Sequence, residues 1–392
     1  MPDTLKLFSP AGGSWNLAHI CTLLPESLSL FATPAGCGRV IMMSAAERGL
    51  LGRFAHLGLT RQQLLMGETE QAIIEGATEL LDGLPALPPA VMLFTSCVDN
   101  FVASDHTVYL SALRARYPAV AFLDCAMDPI NRETAMPPVA RMQFALSSLW
   151  KRTKGEKAVN FFGCFMPPGS DDPLPRHLQA HGYEVRHLAY CKTFSQHVAM
   201  GESALNLVTH PTALPAAKAL GMPYVYMPVC YDDAELAAQY GAVCEALDIP
   251  LPALEKPDFS PLAGRRVVID DGATWRPFSL AKRLLSEGVT VTRIFADAPM
   301  PLERAAADSL AGLAQIVPNT PQAMADMSRF ADPAALAIGC HAAYMADTNC
   351  YLPLIALGGD GRLPQLAKQL AQAAAAPKPP AGRFDLARGC CL

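Results

Sequence analysis

Two cysteines, Cys37 and Cys97, are the residues of this sequence best suited to metal or redox chemistry. Each comes just after an apolar stretch that predicts a buried strand, the first beginning at Leu30 and the second at Val91. In an open α/β sheet, ligands bind at the carboxyl ends of the strands. Two thiols at two such ends can converge on one soft metal centre, because thiolates select iron–sulfur clusters or zinc. The sequence therefore predicts a metal-cluster redox site.

The neighbours of these cysteines agree with a bulky inorganic group. Gly36 and Gly38 flank Cys37, and residues without a side chain let the backbone approach such a group closely. Ser96 directly precedes Cys97. The alternative for either cysteine is a turn with an incidental thiol, and the pair together favours the ligand interpretation more than either does alone.

Further candidates follow other predicted elements. Cys21 lies in a stretch that predicts helix or core, so it is either a buried inert thiol or a further ligand. Cys125 follows a predicted strand and is expected to line the same cavity. Cys191 and His197 lie between a strand and a helix, and His210 follows a strand end. All three are candidates for lining a catalytic cleft. For each histidine the alternative is a hydrogen-bonded structural group, which is the more common role of a lone histidine.

Strand-like apolar runs alternate with Ala/Leu-rich stretches that predict helices. The predicted strands are 90–95, 120–123, 158–163, 183–189, 205–209, 224–227, 266–269, 289–295, 336–339 and 352–357. The predicted helices are 61–81, 215–220, 232–247, 279–287 and 363–376. Alternation of this kind predicts an α/β fold with mainly parallel sheets and helices on both faces.

Two polar or proline-rich stretches predict domain boundaries. Residues 151–157 are polar and precede a new strand, and residues 250–264 are rich in proline and precede a Rossmann-like first strand. We therefore expect three Rossmann-like domains at 1–155, 156–262 and 263–375, and a flexible tail at 376–392.

Composition excludes several classes of function. The formal charge of −5 gives no footprint for nucleic acid, and no apolar run is long enough to predict a membrane span. The first residues lack a signal-peptide pattern, so a cytoplasmic protein is expected. Neither a P-loop nor a GxGxxG motif occurs, which predicts no ATP and no NAD on this chain. The 12 cysteines include no CxxC pair, so any metal site must be assembled from distant segments.

Several segments, in this order, resemble component 1 of the nitrogenase superfamily. Residues 34–37 (Pro-Ala-Gly-Cys) resemble that family's cluster loop, His-Gly-Pro-x-Gly-Cys, and residues 67–73 its Gly-Gly-x-x-x-Leu segment. Residues 94–105, around Cys97, are similar to its Thr-Thr-Cys-x-x-x-x-Ile-Gly-Asp-Asp segment. Residues 159–163 resemble the strand that opens its second domain, and 205–208 the strand before nitrogenase's cofactor cysteine. The resemblance covers most of residues 9–358.

The sequence also departs from the family. Ala32 and Thr33 differ from the start of the cluster loop, and Ser9-Pro10 stands where the family's first cluster cysteine precedes a proline. The cofactor cysteine is absent after 206–208, where the matching position is near His210, and the third domain is short. Reduction of dinitrogen at a nitrogenase-type cofactor is therefore not expected.

The resemblance implies three Rossmann-like domains around a central cleft. It also implies the catalytic component of an ATP-dependent two-component reductase, with electrons supplied by a separate P-loop iron–sulfur protein. With two clear ligands per chain, a [4Fe–4S] cluster is expected between the subunits of a homodimer, or of a heterodimer with a paralogous chain, and there is room for a second metallocofactor. Three other interpretations stay open: a scaffold for assembling a metallocofactor, a non-catalytic partner subunit, and an ordinary α/β enzyme with inert cysteines.

Overall fold

The computed structural model describes residues 17–126, 136–152, 155–169, 172–353 and 363–377. The chain divides into two compact units. One unit holds residues 17–167 and 178–228, and the other holds residues 168–177 together with the chain from 229 onward. No helix in the described ranges is long and apolar enough to cross a membrane.

The first sheet has four parallel strands in the order β2-β1-β3-β4. Its strands are β1 (Leu28–Thr33), β2 (Phe54–Gly58), β3 (Ala90–Phe94) and β4 (Ala121–Asp124). Every residue of the two central strands, β1 and β3, is buried. Phe31 of β1 stacks on Phe94 of β3, with ring centroids 4.5 Å apart, and on Phe54 of β2 at 5.7 Å. Burial on both faces is what a parallel sheet requires of its central strands.

Seven helices accompany this sheet: α1 (Leu17–Thr22), α2 (Ala35–Glu47), α3 (Arg61–Met66), α4 (Thr69–Asp82), α5 (Val98–Val102), α6 (His106–Arg116) and α7 (Pro138–Ser147). Helix α4 buries Ala72, Ile73, Ala77 and Leu81, which form one stripe at helical spacing. Helix α2 differs, because most of its residues are exposed and only Gly38 and Ala45 are buried among those whose side chains are described.

The second sheet belongs to the same unit and has the order β6-β5-β7-β8, again parallel. Its strands are β5 (Glu156–Phe162), β6 (Glu184–Arg186), β7 (Ser203–Val208) and β8 (Tyr224–Tyr226), with helices α8 (Pro173–Ala180), α9 (Phe194–Val198) and α10 (Leu214–Leu220) along the same stretch of chain. Asn160 and Asn206 lie opposite each other on the central strands and share a buried hydrogen bond of 2.8 Å. This pair satisfies two polar side chains inside the core.

The third sheet lies in the other unit and has five parallel strands in the order β11-β10-β9-β12-β13. The strands are β9 (Arg266–Asp270), β10 (Thr290–Phe295), β11 (Gln315–Val317), β12 (Leu336–Ile338) and β13 (Tyr351–Leu352). The helices of this unit are α11 (Asp233–Leu247), α12 (Pro277–Ser286), α13 (Arg304–Ser309), α14 (Pro321–Ala325), α15 (Cys340–Ala346) and α16 (Leu363–Ala375). The strand order reverses between β9 and β12, as in a Rossmann-like sheet.

The α/β class with three mainly parallel sheets is confirmed, while the domain limits 1–155, 156–262 and 263–375 and the central cleft stay predictions. Two short edge strands, β2 and β11, were not predicted. The predicted helix 61–81 is two helices, because Gly67 adopts the left-handed conformation (φ 71°). The predicted strand 183–189 is shorter, since a 3-10 turn follows β6 at Leu188–Tyr190. Residues 354–357 of the last predicted strand and the predicted tail beyond 377 lie outside the described residues.

A buried carboxylate joins the central strand of the third sheet, β9, to helix α15. Asp270, at the end of β9, accepts hydrogen bonds from the backbone N–H of Ala342 in α15 (2.7 Å) and of Ala273 (2.8 Å). Burial raises the pKa of Asp270 to about 7. Gly339 precedes α15 with φ 111°, and a Cβ there would overlap the Asp270 carboxylate. Glycine is therefore required both by the backbone conformation and by the close approach of Asp270.

We predict that Gly339→Ala lowers the free energy of unfolding by about 3–5 kcal/mol, because it adds a steric overlap to an unfavourable backbone conformation. Gly312→Ala is the matched control, since its φ is also positive (78°) but no atom lies within 4 Å of the added Cβ. That variant should lose only about 1 kcal/mol. Denaturant unfolding of both variants measures the difference, and equal losses would contradict the steric argument.

Candidate functional site

The structure places Cys37 and Cys97 at the same edge of the first sheet. Strands β1 and β3 are adjacent and parallel, with Phe31 opposite Phe94, so the segments that follow them leave the sheet side by side. Cys37 lies in the first turn of α2 and is exposed, and Cys97 is the N-cap residue of α5 and is half-buried. Both thiols are reduced. Adjacent strand ends are where an open parallel sheet presents its ligand-binding residues.

The two glycines beside Cys37 have different surroundings. A Cβ at Gly36 would meet no atom within 4 Å, which leaves open space beside Gly36. A Cβ at Gly38 would overlap the imidazole of His56 on β2. That imidazole lies 3.1 Å from the carbonyl of Thr33 through its Nε2, so it joins the end of β1 to β2. Packing against His56 is one reason for a glycine at position 38, and the cofactor roles of Gly36 and Gly38 stay predictions.

Ser96 organises the backbone at Cys97. Its hydroxyl lies 3.4 Å from the N–H of Val98, and its carbonyl accepts from the N–H of Asp99 at 3.1 Å. Ser96 is 9% exposed. These bonds begin the single turn of α5 and so set the direction of the chain at Cys97; the predicted role of Ser96 in cofactor binding stays a prediction.

Two further candidate thiols of this unit are deeply buried. Cys21 is on α1, in the stretch predicted as helix or core, and Cys125 follows β4; each is 1% exposed. Burial raises the pKa of Cys21 to about 12 and holds that of Cys125 well above its usual range. Since the thiolate is the form that binds metal, these environments favour the inert alternative for Cys21. A ligand role for Cys21 and a role for Cys125 in lining the cofactor cavity stay predictions.

A charged cluster beside Cys97 was missed by the sequence analysis. His106, the first residue of α6, lies between two carboxylates. Its Nε2 is 3.2 Å from Oδ2 of Asp99, and its Nδ1 is 3.0 Å from Oδ1 of Asp124 at the end of β4. Burial alone would lower the pKa of His106, but its hydrogen bonds to Asp124 and Asp99 outweigh that effect and raise it to about 9. The imidazole is therefore protonated near neutral pH, and it links α5 to β4.

The three candidates of the second sheet have different surroundings. Cys191 lines a cavity of about 130 Å³ together with Arg186, His187, Tyr190 and Met200 among others. Its Sγ lies 3.7 Å from the carbonyl of His187, and burial raises its pKa to about 11. Neither His197 nor His210 lines this cavity.

The two histidines have local hydrogen-bonding partners. Nε2 of His197, which is fully buried, lies 2.9 Å from the carbonyl of Leu146. His210 caps a 3-10 turn, where its Nδ1 lies 2.7 Å from the hydroxyl of Thr212. Burial lowers the pKa of each to about 4, so both are neutral near pH 7. Catalytic roles for Cys191, His197 and His210 stay predictions.

Across the part of the chain that the structure describes, no group of three or more His, Cys, Asp or Glu side chains is arranged to hold a metal ion. The described residues therefore present two accessible thiols at the sheet edge and no complete set of ligands.

Comparison with solved structures finds chains of similar fold over nearly the whole length. "Nitrogenase Cp1 at pH 6.5" has a TM-score of 0.70 and 13% sequence identity, and the match covers 96% of this chain and 94% of that chain. "Nitrogenase Cp1 at pH 5" has a TM-score of 0.53 and 12% identity, covering 96% and 92%. The chain thus has a nitrogenase component 1-like fold, as the motifs predicted. No model of a protein family matches the chain, and no curated protein sequence does.

We predict that the protein loses stability between pH 6.5 and 9 through His106. Its folded pKa, about 9, exceeds the ordinary value of 6.5, so the stabilisation is complete below pH 6.5 and is lost as the pH rises through 9. The loss is about 2 kcal/mol, and His106→Gln should flatten the curve. Urea unfolding across this range is the measurement. His177→Gln, which alters an exposed contact with the carbonyl of Pro250, should keep the wild-type slope; a wild-type slope in His106→Gln would contradict the assignment.

Proposed function

We propose that this chain is the iron–sulfur catalytic component of a nitrogenase-like, ATP-dependent two-component reductase. It accepts electrons from a separate P-loop iron–sulfur protein and passes them, through a cluster held between two subunits, to a substrate or metallocofactor. The observation that carries the proposal is the combination of a nitrogenase component 1-like fold over 96% of the chain with reduced thiols, Cys37 and Cys97, after adjacent parallel strands.

The chemistry of these two residues fits such a cluster. Thiolates are the ligands of iron–sulfur clusters, and both thiols reach the solvent at one sheet edge. The open space beside Gly36 lets a bulky group approach the backbone of the residue before Cys37. A [4Fe–4S] cluster takes four thiolates, so two from each of two subunits complete the set. When bound, the cluster supplies transfer of electrons between the reductase and the substrate.

The surface around the thiols supports a partner subunit at this edge. Helix α2, which carries Cys37, exposes 57% of Met43. The segments after β2 and β3 expose Leu65, Met66 and Phe101 by 74, 68 and 75%. Large apolar side chains exposed together on neighbouring segments are typical of a surface that another protein covers. Either a second copy of this chain or a paralogous chain would cover this surface.

The surroundings of Cys191, His197 and His210 limit the catalytic roles of these residues. The cavity at Cys191, about 130 Å³, is smaller than the 300–1,000 Å³ of typical ligand pockets, so by itself it admits only a small molecule. His197 and His210 are neutral near pH 7, so they carry no imidazolium proton to donate, and pKa values of about 4 also make them weak bases.

A scaffold for metallocofactor assembly is the second candidate function. The low pKa values of His187, His197 and His210 favour it, because a scaffold binds and transfers a cluster without needing an acid catalyst. Accessible thiols at the sheet edge suit a cluster that is later handed to another protein equally well.

We predict that the anaerobically purified protein carries iron and acid-labile sulfide at about one cluster per dimer, and that Cys37→Ala and Cys97→Ala each reduce the content at least about tenfold. Cys350→Ala is the control, because this cysteine is half-buried like Cys97 but belongs to the other unit. Metal analysis and an EPR spectrum give the readout. An iron-free wild type after reconstitution, or iron retained in both variants, would contradict the proposal.

Turnover separates the enzyme from the scaffold. We predict that the loaded protein, with a P-loop iron–sulfur reductase and ATP, catalyses many reductions per cluster while keeping its iron. The measurement is reductant consumed per cluster, with ADP in place of ATP as the control. Release of the cluster to an acceptor protein without repeated reductant consumption would favour the scaffold.

A further inference from the structure

The segment that carries Cys97 is anchored at its far end by Glu70, in the first turn of α4. One carboxylate oxygen of Glu70 accepts from the hydroxyl of Ser104 at 3.0 Å and from the backbone N–H of Asp105 at 2.8 Å. Asp105 in turn caps α6 through the N–H of Thr107. These bonds fix the point at which the segment joins α6, but they lie seven and eight residues beyond Cys97.

Little apolar burial holds the part of the segment nearest to Cys97. Helix α5 has one turn, and Asp99 is its one buried residue. Asn100 is exposed, and Phe101 is 75% exposed. So short a helix has no stability of its own and depends on what anchors it. The contacts of Asp99 are therefore the main anchor of this turn.

His106 provides that anchor from a well-packed helix. Helix α6 buries Tyr109, Leu110 and Leu113, so its position does not depend on α5. From its first residue, the imidazole reaches Asp99 through Nε2 and Asp124 through Nδ1. The bridge links the turn that begins at Cys97 to the end of strand β4, the neighbour of β3.

We propose that His106 is a positioning residue for Cys97: by bridging Asp99 to Asp124, it holds the α5 turn so that the Cys97 thiol stays at the sheet edge beside the Cys37 segment. The purpose of this position, holding a metal cluster, rests on the proposed function. The anchoring itself belongs to the metal-free chain and is tested there.

Alkylation of individual cysteines measures the anchoring in the metal-free, full-length protein. Wild type and variants are treated with iodoacetamide, and mass spectrometry gives the rate at each cysteine. Cys37 is the internal reference, because it lies on α2 after a different strand. His106→Ala should raise the ratio of Cys97 to Cys37 alkylation about tenfold, since loss of the bridge lets the α5 turn open. His177→Ala should leave the ratio unchanged.

Two conservative variants separate positioning from general stabilisation. The amide nitrogen of Gln can take the place of Nε2 and keep the contact with Asp99, while that of Asn can take the place of Nδ1 and keep only the contact with Asp124. His106→Gln should therefore retain a ratio near that of wild type, and His106→Asn should resemble His106→Ala. This pair decides the question even if His106→Ala fails to fold. An unchanged ratio in His106→Asn, or equal acceleration at both cysteines, would overturn the proposal.

Iron binding distinguishes failure of this inference from failure of the proposed function. If the wild type holds iron, His106→Asn should lose at least about half of it and His106→Gln should keep it. A wild type without iron whose alkylation ratio responds to His106 supports the positioning role and removes the proposed function. A wild type with iron whose ratio does not respond removes the positioning role alone.

Discussion

The parallel pairing of β1 with β3 is the constraint on which the candidate site depends. These strands are separated by about sixty residues of chain, yet both are buried along their whole length and stacked through Phe31 and Phe94. A one-residue shift in register would move every side chain of a strand to the opposite face and break the stacking of Phe31 on Phe94, so the packing of these side chains fixes the alignment. Cys37 and Cys97 leave the sheet together as a consequence of this core packing.

Polar side chains at the ends of the strands position the segments that follow. In the first sheet, His106 balances the charges of Asp99 and Asp124. In the third sheet, Asp270 is held by backbone N–H groups instead, and Gly339 makes space for it. In both arrangements, neighbouring protein groups offset the cost of burying charge, and both fix the start of a helix. The arrangement in the first sheet has a cationic partner, His106, that is partly exposed to solvent, whereas Asp270 in the third sheet is buried.

Sequence reasoning located most strands because long apolar runs with flanking helices are a strong signal. It missed β11 because this edge strand has three residues, and β2 because it is only partly buried and contains the polar His56. It read α3 and α4 as one helix because the left-handed conformation of Gly67 leaves the apolar pattern intact. His106 was missed because its partners come from a different helix and strand. The juxtaposition of charges across elements has no local pattern, although Asp105 as a helix cap before His106 was a detectable clue.

The unequal exposure of the thiols in this unit has a consequence for damage by oxygen. Cys37 is exposed while Cys21 and Cys125 are sealed in the core, so an oxidant meets Cys37 first. Oxidation of a thiol to the sulfenic acid is reversible, but further oxidation to the sulfinic acid is generally permanent. A brief exposure to air would therefore modify Cys37 while leaving Cys21 and Cys125 intact in the core. Such a protein would keep its fold, and the mass of the peptide that contains Cys37 would reveal the modification.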